Sequence, residues 1–264
     1  MADLTLAFTA AVGASDAPHL VLGHSLGTSA ALWAEAVPLL ANSFRVTCVD
    51  LPGHGDSPAA TGSYLVGDVA DAIVAHLDEC GVSIFRYAGV SIGGAIGLDL
   101  ARRHPTRVFA AVVVSAGARV DSREMWAERA ASVRIDGTGS LVPGTLQRWF
   151  APGTTERHPD RTERMMRALR ETDDESYALA CEALADFDIA DRLGEVEPPI
   201  LALWGEYDQL VPEARSVDVA KGVRRGIVDR VPDAAHAAPL EQPGTVAGQL
   251  ADFFGSLESV EPIA

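Results

Sequence analysis

The 264-residue chain lacks any apolar run of the roughly 18 residues needed to span a bilayer. Its first residues, MADLTLAFTAAVGASDAP, also lack the positively charged region of a secretory signal. These two absences predict a soluble, cytoplasmic protein that does not bind a membrane.

Cysteine and basic residues are also scarce. The three cysteines, Cys48, Cys80 and Cys181, are widely spaced and form no CxxC, which excludes a disulfide framework and a zinc site and predicts buried thiols. The 21 basic residues are outnumbered by 37 acidic ones, which gives a net charge of −16 and argues against binding to nucleic acid. An anionic substrate would therefore have to be bound by a few local arginines.

The chain alternates apolar, β-rich runs with helical stretches, and its 48% hydrophobic content is enough for one substantial core. This alternation predicts an α/β fold, with a mostly parallel central sheet and helices on both faces. The N-terminal LTLAFTA is a weaker candidate for an antiparallel edge. The predicted strands cover 19–24, 45–50, 83–90, 108–115, 199–205 and 226–232.

Helical spacing predicts helices over 29–42, 66–81 and 95–105, and the second of these ends at a glycine typical of a C-cap. Between residues 116 and 198 the strands stop, and the segment becomes rich in charge and in helix-forming residues. We interpret this segment as an inserted helical cap. The predicted division is a core domain of 1–117 and 197–264 and a cap of 118–196.

A serine lies between glycines in YAGVSIGG, which spans residues 87–94. Gly89, Ser91 and Gly93 fit the GxSxG pattern, which follows a predicted strand and precedes a predicted helix. Such a serine must occupy a tight turn in an unfavourable backbone region, so its neighbours must be small. The alternatives are a closely packed helix start and a phosphate-binding turn, but GxGxxG and GK[ST] are both missing. We predict that Ser91 is a nucleophile.

A serine nucleophile requires a base and a group that orients the base. Asp208 in LWGEYDQLVP follows one predicted strand, and His236 in DAAHAAPLEQP follows the last one. The order Ser, Asp, His is the order of the α/β-hydrolase triad. Glu206 is the rival for the orienting carboxylate, and the alternative for His236 is a loop histidine on a polar surface.

The other histidines have structural explanations. His76, His104 and His158 fall on predicted helices or at their ends, among polar neighbours that indicate solvated positions. His19 begins a strand, and His54 lies in the turn PGHGDS, where glycine and proline already explain the chain direction.

Acyl transfer also needs backbone donors that face the developing oxyanion. The loop in LVLGHSLGTS follows the first parallel strand and contains glycine. In this architecture the two donors would be the N–H groups of Leu26 and Ile92, the second being next to the nucleophile.

With these residues in place, the sequence resembles the α/β-hydrolase superfamily over almost its full length, and within it the 3-oxoadipate enol-lactonases. HSLGTSAALWAEAVPLLANSFRVTCVDLPGHGDSP is similar to that family's oxyanion loop and its PGHG turn. MWAERAASVRIDGTGSLVPGTLQRWFAP and ETDDESYALACEALADFDIADRL resemble its cap entry and cap exit. His24 departs from the family, whose loop more often has asparagine there.

The resemblance implies an α/β-hydrolase fold and a serine hydrolase, acting as monomer or homodimer, that opens a small carboxylate-bearing lactone to 3-oxoadipate. No metal and no organic cofactor is implied. Carboxylesterases, C–C bond hydrolases and cofactor-free haloperoxidases share much of the pattern and remain alternatives. A non-catalytic hydrolase-like protein that binds a small molecule is a further one.

The substrate would contact the oxyanion loop and the cap. Ser25 is the candidate in the loop, and Trp126 is the candidate that closes over the substrate, although packing inside the cap also explains this aromatic residue. Arg129 and Arg134 follow on the same predicted helix and could bind both oxygens of a carboxylate. The alternative for both arginines is a solvated helix surface.

Overall fold

The computed structural model describes residues 4–120 and 122–258, and six parallel strands lie at its centre. The strands are β1 (His19–Gly23), β2 (Arg45–Val49), β3 (Phe85–Val90), β4 (Val108–Val114), β5 (Ile200–Gly205) and β6 (Gly226–Val231). They pair in the order β2-β1-β3-β4-β5-β6. Every predicted strand is present within two residues of its expected ends, so the predicted α/β class with a parallel sheet is confirmed.

Burial explains why these runs form strands. Every residue of β3 is buried, as parallel strands covered on both faces require. The last strand, β6, lies at the edge of the sheet and exposes Ile227 and Val228. The N-terminal segment follows β2 in the antiparallel direction through two isolated bridges, Phe8 with Val49 and Val12 with Val46. The predicted antiparallel edge at the N-terminus is therefore present as isolated bridges rather than as a continuous strand.

Helices surround the sheet. They are α1 (Val37–Leu40), α2 (Val66–Glu79), α3 (Ile92–Arg103), α4 (Arg123–Asp136), α5 (Val142–Trp149), α6 (Thr154–Arg157), α7 (Pro159–Glu171), α8 (Asp174–Asp186), α9 (Glu213–Gly222), α10 (Ala238–Glu241) and α11 (Pro243–Glu258). The predicted end of α2 is confirmed, since Gly81 has a φ of 71° and its N–H binds the carbonyl of Asp78 at 3.0 Å.

The single helix predicted over 29–42 is wrong. The chain forms a short 3-10 helix, Ala30–Trp33, followed by α1. Pro38 has no N–H to donate to an earlier turn, so it can only stand at the beginning of a helix and divides the segment. The helix predicted over 95–105 begins earlier, at Ile92, directly after Ser91.

The segment between β4 and β5 contains α4 to α8 and two short 3-10 helices, Thr138–Leu141 and Ala190–Glu195. The division at residues 118 and 196 stays a prediction, and residues 1–3, 121 and 259–264 of the predicted domains lie outside the described residues. In the described residues no helix is long and apolar enough to cross a membrane.

All three cysteines are free, as predicted. Cys48 and Cys181 are buried, but the expectation of a buried thiol is wrong for Cys80, which is exposed. The reason is its position, because Cys80 follows the last residue of α2 on the protein surface.

The parallel strands bring four loops together at their carboxyl ends. Because β2 and β3 lie on opposite sides of β1, the strand order reverses between β1 and β3. Crevices at the carboxyl ends of strands beside such a reversal are the usual ligand sites of parallel sheets. The loops after β1, β3, β5 and β6 carry the residues singled out in the sequence.

Candidate active site

Ser91 forms the sharp turn between β3 and α3. Its φ of 57° and ψ of −116° lie in a region that residues other than glycine rarely occupy. The turn is fixed by the Ser91 N–H, which binds the carbonyl of Val114 at 2.9 Å, and by the Ser91 carbonyl, which accepts from the N–H of Ala95 at 2.9 Å. Strain of this kind persists where neighbouring contacts determine the backbone, as they do here.

The glycines beside Ser91 are required by space. A Cβ atom on Gly89 would lie 2.2 Å from the carbonyl oxygen of Gly93, and one on Gly93 would lie 2.7 Å from the carbonyl oxygen of His24. On Gly94 it would lie 2.5 Å from the Cβ atom of Ala116. The close approach of these segments supports the steric reason inferred from the sequence.

Asp208 is hydrogen-bonded to His236. The Asp208 Oδ2 atom lies 3.0 Å from His236 Nδ1, and both side chains are buried. The second oxygen, Oδ1, accepts from the N–H groups of Leu210 at 2.8 Å and Val211 at 3.0 Å. Burial acts to raise the pKa of Asp208, but the charge and hydrogen bond of His236 outweigh it and hold this pKa below its usual value. Asp208 therefore stays ionised and keeps the Nδ1 proton on its side of the ring.

Ser91 and His236 line the same cavity. The Ser91 hydroxyl makes no hydrogen bond to any described residue, and such contacts commonly tighten only when substrate is bound. The rival carboxylate, Glu206, points elsewhere, because it pairs with Arg230 at 2.7 Å and accepts from the N–H of Asp233 at 3.1 Å. The structure thus brings Ser91, Asp208 and His236 together and leaves Glu206 outside.

A buried carboxylate that the sequence reasoning missed fixes the loop of His236. Glu241 accepts from the N–H of Ala235 at 2.7 Å with one oxygen. Its other oxygen accepts from the N–H of Ala151 at 2.6 Å and the hydroxyl of Thr154 at 2.8 Å, both in the segment between β4 and β5. Burial raises the pKa of Glu241 although these three donors act in the opposite direction. Glu241 is one acidic residue in a short helix, and no pattern in the sequence around it indicates this role.

The two residues predicted to donate to the oxyanion lie at this cavity as well. Leu26 and Ile92 both line it, and neither N–H makes a hydrogen bond within the described part of the chain. The next N–H along the loop, that of Gly27, donates to His54 Nε2 at 3.0 Å and is therefore not available. His54 and His24 are both buried beside this loop, although the sequence reasoning gave His54 no role there.

The cavity has a volume of about 190 Å³, and its lining includes Ser91, His236 and residues of the segment between β4 and β5. Ser25 and Trp126 line it, as the sequence predicted for substrate contacts. Arg129 also lines it, and its Nε donates to the hydroxyl of Tyr177 at 2.9 Å, while its guanidinium carbon lies 5.6 Å from the ring centre of Trp126. Arg129 makes no ion pair with a described residue.

Arg134 is not brought to the cavity. Its guanidinium pairs with Glu175 at 2.8 Å and with Glu182 at 2.6 Å, on α8. Arg134 follows Arg129 by five positions, which is about 500° around a helix, so the two side chains leave α4 on different sides. The predicted pair of arginines is thus reduced to one at the site.

The charge of the cavity is opposite to that of the protein. Its described lining contains four arginines and no aspartate or glutamate, in a chain whose net charge is −16. Such a local excess of positive charge attracts anions to the cavity. The arginines are Arg119, Arg129, Arg148 and Arg215.

Comparison with known proteins agrees with this geometry. A family model described as the alpha/beta hydrolase fold matches residues 18–243. The 3-oxoadipate enol-lactonase 2 of Acinetobacter baylyi is 30% identical over 234 residues, which cover 89% of this chain and 87% of that protein. The crystal structure of the enol-lactonase from Burkholderia xenovorans LB400 matches with a TM-score of 0.89 and 30% identity, over 95% of this chain and 96% of the other.

An esterase is equally similar in shape. The malate-bound structure of a thermophilic esterase from Thermogutta terrifontis matches with a TM-score of 0.90 and 25% identity, over 96% of this chain and 94% of the other. The chain is thus similar along nearly its whole length to proteins described as hydrolases of lactones and esters.

Proposed function

The chain belongs to the α/β-hydrolase fold family, and we propose that it is a serine hydrolase that opens a small carboxylate-bearing enol-lactone, 3-oxoadipate enol-lactone, to 3-oxoadipate. The observation that carries this proposal is the cavity, in which Ser91 and His236 lie beside Arg129, an arginine that makes no ion pair with a described residue. The similarity to enol-lactonases of two organisms supports the choice of substrate.

The chemistry begins at the ring carbonyl. The Ser91 oxygen bonds to the carbonyl carbon while its proton passes to His236, whose imidazolium is stabilised by the ionised Asp208. The carbonyl oxygen becomes negative and binds the N–H groups of Leu26 and Ile92. Collapse of this intermediate breaks the ring C–O bond and expels an enolate. The enolate takes up the proton held by His236 and becomes the ketone.

Water completes the reaction. It attacks the acyl-enzyme on Ser91, gives its proton to His236, and forms a second tetrahedral intermediate at the same two N–H groups. When this intermediate collapses, Ser91 regains its proton from His236, the new carboxyl group loses its proton to solvent water, and the product leaves with two carboxylates. Every step uses side chains and backbone groups of this chain.

Arg129 is the proposed partner of the substrate carboxylate. It lies on the cavity wall without a carboxylate partner among the described residues, and its Nε is held by the Tyr177 hydroxyl at 2.9 Å. This contact orients the planar guanidinium and leaves its terminal nitrogens able to bind two oxygens. The similar esterase from Thermogutta terrifontis was solved with malate bound, and malate is a small dicarboxylate.

The test is hydrolysis of 3-oxoadipate enol-lactone by the wild type and three variants. Ser91→Ala should abolish turnover while the protein stays folded. Arg129→Gln should raise KM about tenfold or more, because a charged hydrogen-bonded pair is lost from the bound state. Arg134→Gln is the matched control on the same helix and should leave KM unchanged. Full turnover by Ser91→Ala would refute the proposal.

A carboxylesterase is the second candidate, favoured by the similarity to the malate-bound esterase. Comparing kcat/KM for the enol-lactone, a series of p-nitrophenyl esters and C–C hydrolase substrates separates the candidates. Preference for neutral esters, with no effect of Arg129→Gln, would favour the esterase. Absence of labelling at Ser91 by a fluorophosphonate would favour a binding protein without activity.

A further inference from the structure

The carbonyl oxygen of Ser25 accepts three hydrogen bonds in a buried part of the oxyanion loop. The donors are His24 Nδ1 at 2.8 Å, the Thr28 hydroxyl at 2.7 Å and the Thr28 N–H at 3.1 Å. This carbonyl and the N–H of Leu26 belong to one peptide unit, and no peptide bond in the described chain is cis. In a trans peptide the two groups point in opposite directions, so the donors that hold the carbonyl also aim the Leu26 N–H.

His24 can donate because its other nitrogen is occupied. Its Nε2 accepts from the N–H of Leu51 at 2.9 Å, which leaves the proton on Nδ1. Burial lowers the pKa of His24 to about 4, so the ring is neutral at physiological pH. The groups that face the ring are Asp50, whose Oδ1 lies 3.7 Å from Nε2, and His54, whose ring centre lies 5.4 Å away. The Asp50 oxygen is itself bound by the N–H of Ala30 at 2.6 Å.

The other side of the loop is held as well. The Gly27 N–H donates to His54 Nε2 at 3.0 Å, and His54 Nδ1 donates to the carbonyl of Pro52 at 2.9 Å. Both histidines therefore connect the loop after β1 to the loop after β2 through neutral rings. Leu26 lies between these two anchored groups and lines the cavity, and its N–H has no hydrogen bond to a described residue.

We propose that His24 is a positioning residue of the oxyanion hole, whose Nδ1–H and the Thr28 hydroxyl fix the Ser25–Leu26 peptide so that the Leu26 N–H faces the carbonyl oxygen of the acylating substrate. The inference rests on the proposed function, since it concerns the same site. Three donors on one carbonyl also polarise the peptide and strengthen its N–H as a donor, because chains of hydrogen bonds are cooperative.

Two substitutions separate the two nitrogens of His24. His24→Asn places an amide N–H near the position of Nδ1 and keeps the bond to Ser25, but loses the acceptor for Leu51. His24→Gln places an acceptor near the position of Nε2 and keeps the bond to Leu51, but loses the donor to Ser25. Each variant loses one buried hydrogen bond, so thermal unfolding should show similar losses of stability for both.

Turnover should distinguish them. Complete loss of an oxyanion donor typically lowers kcat by ~10²–10³, and a misaimed donor loses part of that, so we expect His24→Gln to lower kcat by about tenfold. Its KM should change less than about twofold, because this interaction acts in the transition state. His24→Asn should keep kcat within about threefold of the wild type. Thr28→Val should resemble His24→Gln, and Thr28→Ser should resemble the wild type.

The assay uses p-nitrophenyl acetate and the enol-lactone, with Ser91→Ala alongside. If the wild type is inactive, or Ser91→Ala is as active as the wild type, the proposed function fails. If activity depends on Ser91 but His24→Asn and His24→Gln lose kcat equally, the inference fails and His24 is only structural. If neither His24 variant folds, the Thr28 pair decides, and equal kcat for valine and serine would overturn the inference.

Discussion

Replacing Glu241 with glutamine should loosen the loop that carries His236. The carboxylate accepts three hydrogen bonds, two on one oxygen and one on the other. In the better orientation the glutamine oxygen keeps Ala151 and Thr154, and its NH2 group then faces the N–H of Ala235. The Ala235 N–H and the new NH2 group are then two buried donors without an acceptor, which costs about 2–6 kcal/mol at ~1–3 kcal/mol for each buried group.

Part of that loss is offset. Burial raises the pKa of Glu241, so the charged carboxylate is disfavoured in the folded protein and its removal recovers some free energy. We therefore expect the free energy of unfolding to fall by about 2 kcal/mol, the lower end of this range. For a chain of this size, that change lowers the melting temperature by about 4–8 °C. Because Ala235 adjoins His236, kcat should fall as well.

The assay is thermal unfolding followed by calorimetry, together with kcat for p-nitrophenyl acetate. Glu206→Gln is the matched control, because Glu206 is a partly exposed carboxylate that binds Arg230 and the Asp233 N–H in the same region. Glu206→Gln should lower the free energy of unfolding by less than about 1 kcal/mol, as is usual for surface ion pairs. If Glu241→Gln melts at the same temperature as Glu206→Gln and keeps full kcat, the reasoning from buried donors is wrong.

Three further predictions concern the triad, the glycines and the buried histidines. Asp208→Asn should lower kcat by about 10⁴-fold with KM nearly unchanged, because the amide favours the wrong tautomer of His236. A decrease in kcat of less than tenfold would contradict the proposed role of Asp208 in orienting His236. Gly89→Ala, whose Cβ would lie 2.2 Å from the Gly93 carbonyl oxygen, should lower the free energy of unfolding in urea by about 3 kcal/mol, whereas Gly62→Ala, with open space around it, should change it little. Burial lowers the pKa of His54 to about 3, so as pH falls the unfolded chain binds a proton on this histidine before the folded protein does. The free energy of unfolding should therefore decrease as pH drops below about 6.5, by up to about 1.4 kcal/mol per pH unit. Urea unfolding at pH 7 and 5.5 should show a smaller pH effect for His54→Gln, and an equal effect would refute the assignment.

The strands and the order of the site residues could be read from the sequence because their signals are local. Buried parallel strands appear as short apolar runs, and the turn around Ser91 needs glycine at positions that the motif already marks. The helix predicted over 29–42 failed because its apolar spacing hid the effect of Pro38, which divides the segment.

Arg129 and Arg134 could not be ranked from the sequence. Both lie on α4 five residues apart, and helical spacing shows that they leave different sides of the helix. Which side faces the cavity depends on how the segment between β4 and β5 packs over the sheet, and this information is tertiary.

The sequence by itself therefore determined the α/β class and the strand positions, and it singled out the serine, aspartate and histidine that lie close together in the fold, because each follows from local periodicity or from residues beside a strand end. Only the tertiary structure showed that Glu241 binds the backbone beside His236, that His54 binds the loop after β1, and that His24 binds the backbone of Leu51. These are bonds from side chains to the backbone of other segments, such as His54 to Gly27 across 27 residues, and they form only where the fold buries both partners away from water.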